Sequence, residues 1–375
     1  MTDSAPAVGA QHRVRWLLSL GLLGLSVPLA LGVAEFLAVW VQGGAFPYLN
    51  IFRPDARYGV VLEADASTRV RTRRGRVTSI RTNALGFRGP APSGRPGGVL
   101  LLGDSQALGF GVEESDTVAG RLRLAGHEVQ VAAVPSWGPF EFALAAEDLV
   151  PRLEPKTVVF VANLANDWPE ANVPNSERNT ARDGWLSRFR PDLNETESFG
   201  FPGRSWLYAR SHLVFTVRAL GALHAGRTRV DATLGAPAAE RLLDSVSELA
   251  MPRGGDRSRL TPFVRRTKAA CSNRCRVVVL VLPMDVQVDA REWAKYGRPA
   301  RDLSRLSVLG TALLEDLEPL GVTGIDLLPA LEAASPGAFL DDDPHLSARG
   351  HAAVAEQLIS ALHAVGPISQ KELSP

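Results

Sequence analysis

Cysteine is nearly absent from this chain. Its 375 residues contain two, Cys271 and Cys275, in Cys-Ser-Asn-Arg-Cys. The spacing is not Cys-x-x-Cys and there is no second pair, so a thiolate zinc site is excluded. In an oxidising compartment the two can close a small disulfide loop; in a reducing one they stay thiols. A loop this short stabilises less by chain entropy than a long one. Net charge is nearly absent too. The 41 Lys and Arg stand against 40 Asp and Glu, and the remaining +1 offers nothing to attract nucleic acid. The one local excess, Arg71, Arg73, Arg74 and Arg76, reads as solvated surface. Apolar runs long enough to cross a bilayer are missing everywhere except near the N-terminus.

There, residues 1–15 form a polar tail that ends in His12, Arg13 and Arg15. Residues 16–41 follow, about 26 against the ~20 that a bilayer requires. Their polar interruptions are Ser19, Ser26 and Glu35, and a membrane helix tolerates Pro28. No basic residue comes after the stretch until Arg53, so the positive-inside rule puts the N-terminus in the cytoplasm. The rest of the chain is then extracytoplasmic, in the periplasm, on a single-pass anchor in the cytoplasmic membrane. A cleaved signal peptide ending near Gly32-Val33-Ala34 is the rival reading, and it also exports the chain.

Residues 42–97 read as a lead-in, with Gly43, Gly44, Pro47 and Pro54 ending the helix and a hairpin turning near Gly75. A domain follows over 98–365, and 366–375 is a tail. Strands are expected from Val99 to Gly103 and over 128–134, 157–162, 276–282 and 322–327. Helices are expected over 117–125, 140–149, 302–317 and 348–365. Strands alternating with helices imply an α/β fold whose parallel sheet is covered on both faces. Residues 169–270 interrupt the alternation with helical patterns at 205–223, 238–250 and 260–270. They read as an inserted helical cap over the site or as a lateral addition that never meets substrate.

Three stretches carry chemistry. Val99-Leu100-Leu101-Leu102-Gly103-Asp104-Ser105 puts a serine at the carboxyl end of a buried strand, the edge where open α/β sheets bind ligands. A second buried strand ends in Asn163-Leu164-Ala165-Asn166-Asp167. Asp341-Asp342-Asp343-Pro344-His345 precedes the last helix. Together they supply a nucleophile, an oxyanion donor, an orienting carboxylate and a base. Without a partner histidine, three successive aspartates would read as a solvated turn or a weak cation site. No dedicated metal site and no cofactor is expected.

Gly103-Asp104-Ser105, Asn166-Asp167 and Asp342-x-x-His345 resemble blocks I, III and V of the SGNH (GDSL-type) hydrolase family. Thr82-Asn83-Ala84-Leu85-Gly86-Phe87-Arg88-Gly89-Pro90 resembles a lead-in of its membrane-anchored members. The resemblance runs from about residue 57 to about residue 363. It implies a flavodoxin-like α/β/α sandwich of three layers, with Ser105 as nucleophile and His345, not His351, as base. Asp342 is then the orienting carboxylate, with Asp343 at a spacing some relatives use. The oxyanion hole would combine the Ser105 N–H, the Asn166 side chain (Asn163 being the nearby alternative) and a block II glycine N–H. That glycine falls on Ser136, and Gly138 lies two residues on. Leu164 replaces a second usual glycine. The implied function is a serine esterase or O-acyltransferase acting on a small-molecule, glycan or lipid ester outside the cytoplasmic membrane. A catalytically silent binding or assembly protein of the envelope is the alternative.

Overall fold

The computed structural model describes residues 7–188, 203–224, 236–249 and 255–364. The tail expected over 366–375 and the gaps within 169–270 lie outside the described residues. The chain opens on one helix, Ala7–Gln42, that runs unbroken through Pro28. Within it, Arg15–Gln42 is the one stretch among the described residues long and apolar enough to cross a membrane.

Four short strands form two antiparallel hairpins: β1 (Phe52–Asp55) with β2 (Gly59–Leu62), and β3 (Ser67–Arg71) with β4 (Val77–Arg81). They are packed onto the domain rather than strung out as a linker. The Trp137 indole N–H donates to the Val60 carbonyl at 2.7 Å, and its ring stacks on Tyr58 at 4.8 Å. Trp137 therefore fastens the lead-in to the domain. Arg88 is buried without a carboxylate partner. Its guanidinium donates to the carbonyls of Ser79, Leu108, Gly109 and Val112, and burial pushes it down to about 10. One arginine thus ties the lead-in to the loop that follows Ser105.

The central sheet is built from β5 (Val99–Gly103), β6 (Val129–Ala133), β7 (Thr157–Asn163), β10 (Arg276–Leu282) and β11 (Thr323–Asp326). Between β7 and β10, β8 (Asn179–Arg182) and β9 (Trp185–Arg188) form a hairpin beside β1. The five strands are all parallel, in the order β11-β10-β7-β5-β6. Strands β5, β6 and β7 are buried throughout, and β10 beyond its first residue, which accounts for their runs of Val and Leu without alternation. Strand β11 is an edge strand, short and largely exposed. Helices Pro139–Leu153, Thr261–Cys271 and Ser307–Leu317 pack together, as do Val118–Leu124 and Ala348–Ala364. Right-handed crossovers put the first group on one face and the second on the other, giving three layers.

The segment 169–270 divides differently from the expected cap. Helix Thr261–Cys271 is the crossover helix into β10, packed on Pro139–Leu153. The Cys271–Cys275 disulfide is closed between the end of that helix and the start of β10. The helix expected over 205–223 is two, Arg204–Arg210 and His212–His224. They break at Ser211, where a carboxylate from the N-terminal helix takes the backbone donors. The second of them, His212–His224, packs on Ala7–Gln42.

Candidate active site

The chain passes from β5 outward to β6 and then returns to the other side of β5 to form β7. At such a reversal the two crossovers leave in opposite directions and open a crevice at the carboxyl ends of the strands. The residues that follow β5 and β7 fill it. Gly103 ends β5 because a Cβ there would lie 2.5 Å from the Ala107 Cβ. Asp104 then caps the short helix Ser105–Leu108, its Oδ1 accepting the Gln106 N–H at 2.8 Å. Ser105 is the first residue of that helix, so its N–H has no acceptor within it.

Ser105 Oγ lies 2.8 Å from His345 Nε2, both groups buried. His345 Nδ1 is hydrogen-bonded to Asp343 Oδ1, which also accepts the His345 backbone N–H at 3.0 Å. The carboxylate bonded to the imidazole is thus Asp343, where Asp342 is the one expected. Two residues before the histidine, a carboxylate can reach backbone and ring together. Asp342 turns outward instead, and its Oδ2 accepts the Arg74 N–H of the β3–β4 turn. Burial alone would push the His345 imidazole down. The Asp343 charge and hydrogen bond outweigh it, and the net shift is upward. Burial likewise pushes Asp343 up, but His345 outweighs it and the carboxyl ends below its ordinary range. His351 is buried elsewhere. Its Nδ1 accepts the Val118 N–H at 3.3 Å, and burial, helped by Arg88, holds it down at about 3. It is a neutral packing residue.

Other elements hold the His345 loop. The Gln106 side chain, from the residue after Ser105, donates to the Pro344 carbonyl and accepts the Leu346 N–H, each at 3.0 Å. Lys295, buried, donates to the carbonyls of Leu340 (3.2 Å) and Asp343 (3.1 Å). Asp285 at 2.8 Å and Glu292 at 2.6 Å balance its charge. The Phe110 ring lies 4.9 Å from the imidazole. Sequence reasoning passed over Gln106, Lys295 and Phe110, since no local pattern marks them.

On the β7 side, Asn163 and Asn166 both donate their side-chain amides to Asp104 Oδ2, at 2.8 and 2.9 Å. Asn163 is buried, and its Oδ1 also accepts the Ala165 N–H at 3.1 Å. Asn166 is half-buried and keeps its second amide hydrogen unassigned. Both line a cleft with Gln106, Ala165, Pro283, Met284, Asp285 and Pro344. No residue of 169–270 lines this cleft among the described residues. Leu164, where the family has its usual glycine, is buried in the core, and a Cβ added at Gly310 would lie 4.0 Å from its Cδ1. Asp167 is buried below. Burial, with Asp104 and Glu170 nearby, raises its carboxyl well above the ordinary range.

The turn after β6 carries the remaining two candidates. Val134-Pro135-Ser136-Trp137 closes with the Trp137 N–H on the Val134 carbonyl at 3.0 Å, and Ser136 has φ +80°. Proline second and positive φ third define a type II turn. Ser136 therefore keeps the backbone that favours glycine. Its N–H has no acceptor among the described residues, and its Oγ is buried without a partner. The Gly138 N–H is already engaged. It goes to Glu141 Oε2 at 3.0 Å, capping helix Pro139–Leu153.

Fold and site together define a doubly wound α/β protein with a hydrogen-bonded Ser–His–Asp chain beside an amide-lined cleft. No family model matches the chain, and no curated protein matches it. Solved structures similar to it include a lipolytic protein of the G-D-S-L family from Veillonella parvula, at 9% identity over 72% of this chain and 100% of that one, TM-score 0.38. A lipase/acylhydrolase from Enterococcus faecalis is 15% identical over 73% of this chain and 98% of its own, TM-score 0.36. The periplasmic domain of a lipopolysaccharide acetyltransferase from Salmonella ser. Paratyphi A is 9% identical over 72% of this chain and 85% of its own, TM-score 0.36.

Proposed function

We propose that this protein is a serine-dependent esterase or O-acyltransferase of SGNH type, held by its N-terminal helix on the outer side of the cytoplasmic membrane. The observation that carries the reading is the unbroken chain from Ser105 Oγ through both nitrogens of His345 to Asp343. A serine hydroxyl is a weak nucleophile, and a neutral imidazole at 2.8 Å is the base it needs. In the first step His345 Nε2 takes the Ser105 proton as Oγ attacks the ester carbonyl. The developing oxyanion is met by the Ser105 N–H and the Asn166 amide, with the Ser136 N–H as third donor. The imidazolium, stabilised by Asp343, then protonates the leaving alcohol. Water, or an acceptor hydroxyl deprotonated by His345, attacks the acyl-enzyme and frees Ser105. The substrate in this reading is a small-molecule, glycan or lipid ester.

The test is fluorophosphonate labelling of the full chain in membranes, beside Ser105→Ala and His345→Ala, with short p-nitrophenyl esters assayed in parallel. Labelling and turnover are expected in the wild type and are lost in both variants. Folded wild-type protein that neither labels nor turns over would replace this reading with a binding role.

A further inference from the structure

Outside the N-terminal helix, the large apolar side chains exposed among the described residues are Leu124, Val173, Trp206, Val217, Leu220 and Val308. Three stand singly on separate elements, as on any soluble surface. The other three, Trp206 (67%), Val217 (60%) and Leu220 (59%), share the helix pair 204–224. Val217 and Leu220 continue the line of Leu213 at i, i+4 and i+7, so they form one stripe of the second helix. The side of that helix carrying His212 and Phe215 is occupied. The Phe46 ring stacks on His212 at 4.1 Å and meets Phe215 at 5.7 Å.

An independent observation fixes where this stripe sits. Glu35 of the N-terminal helix accepts the Ser211 hydroxyl at 2.6 Å and the N–H groups of His212 and Leu213 at 2.8 and 3.0 Å. The carboxylate thereby caps the helix His212–His224. Gln42, two turns on, donates to Thr216 Oγ1 at 2.6 Å and to the His212 carbonyl at 3.2 Å. The apolar residues before Glu35, from Trp16 to Ala34, rise about 28 Å as helix, the thickness of a hydrocarbon core. Glu35 and Gln42 lie toward the outer end of the apolar stretch Arg15–Gln42, and the helix His212–His224 is clamped at that end. Tyr208 lies in the same pair, with the guanidinium groups of Arg204 and Arg218 over its ring at 4.9 and 4.7 Å. Aromatic rings with cations beside exposed aliphatics suit the boundary of headgroup and acyl chain.

We propose that helices Arg204–Arg210 and His212–His224 are a membrane-surface element, their apolar stripe seated in the headgroup–acyl boundary beside the anchor. The inference rests on the N-terminal helix spanning the bilayer. It gives the segment 169–270 a role other than covering the site: with the anchor, it sets the tilt of the domain on the membrane.

The test places single nitroxide labels on the full chain in phosphatidylcholine–phosphatidylglycerol vesicles, the native cysteines being joined in their disulfide. Val217→Cys and Leu220→Cys probe the stripe, Leu124→Cys the water-facing surface, and Leu25→Cys the span. Collision with oxygen and with a water-soluble nickel chelate is read by electron spin resonance. At 217 and 220 the ratio of oxygen to nickel accessibility is expected to exceed that at 124 by at least about fivefold. A ratio equal to that at 124 overturns the proposal. Shielding from both reagents also overturns it, in favour of a covering protein or second copy. If 25 is lipid-exposed in either case, the anchor stands and only this inference falls. If 25 is open to nickel, the anchor reading falls and this inference with it.

Discussion

Two segments meet the turn that carries Ser105, and they are held in opposite ways. The loop from Leu340 to Leu346 is pinned from outside. Gln106 and Lys295 bind its backbone, and its own Leu340 N–H bonds to the His345 carbonyl at 2.9 Å. The turn Val134–Trp137 is fixed from within, by its own hydrogen bond and by a serine in a glycine conformation. Among the described residues, the side-chain hydrogen bond to its backbone comes from Arg178, which donates to the Ser136 carbonyl at 3.1 Å. In the proposed reaction the loop must keep an imidazole aligned through changes of charge, which requires partners that do not shift. In that reaction the turn has only to present a backbone N–H, and a strained φ suffices for that.

The largest effect belongs to the pinned loop. Asp343→Asn should lower kcat/KM about 10⁴-fold, because the imidazole loses both its tautomer and its counter-charge. Asp342→Asn should stay within about threefold, since that carboxylate faces Arg74. The pH profile sharpens the contrast. His345 must be neutral to accept the Ser105 proton, and Asp343 raises it. Activity in the wild type should therefore fall on acidification from a midpoint above the ordinary histidine value of ~6.5. Without Asp343, burial and Lys295 are opposed by the Asp104 charge alone, and in Asp343→Asn the residual activity should show a midpoint below that of the wild type. Equal losses in the two variants, or an unmoved midpoint, would break the assignment.

A smaller loss is expected at Gln106. Gln106→Ala strips a buried N–H and a half-buried carbonyl of their partner, costing about 1–3 kcal/mol for the buried group, and frees the chain on both sides of His345. We expect kcat to fall about 10–100-fold with KM nearly unchanged. The acid midpoint should stay where it is, because Asp343 still pairs with the ring. A shifted midpoint would mean that Gln106 acts on the charge of His345 and not on its position.

The comparison also shows what the sequence could reveal. The buried runs of β5, β7 and β10 and the residues at their carboxyl ends placed Ser105, Asn166 and the crevice, since strand patterns and sheet order are local or nearly so. The choice among Asp341, Asp342 and Asp343 is only partly local: the two-residue reach of Asp343 to His345 is local, the rest is not. Three like residues in a row have one signal, and the choice depends on Arg74, 267 or more positions away, and on Lys295. The partner of the Gly138 N–H has a signal in the sequence: Glu141, three residues on, takes it. The helix Thr261–Cys271 was assigned to a cap because the irregular residues before it hid the return to strand–helix alternation. The bonds of Gln106 to residues 238 and 240 positions away had no sequence signature.

The strained turn gives the smallest effect and the finest test. An L-residue in the left-handed region costs about 1–2 kcal/mol, while glycine gives back ~0.4–1 kcal/mol through its freer unfolded chain. Removing the buried, unpartnered Ser136 Oγ adds a gain of about 1 kcal/mol. Ser136→Gly should therefore stabilise the fold by about 1–2 kcal/mol and raise Tm by about 2–4 °C. Ser136→Ala removes the hydroxyl but keeps the Cβ and its strain, so it should recover only the hydroxyl part. If thermal melts place the two variants together, the turn holds its conformation without strain, and the contrast with the His345 loop loses its physical basis. If the glycine variant is the more stable while ester turnover is unchanged, the N–H at 136 is presented by backbone geometry alone.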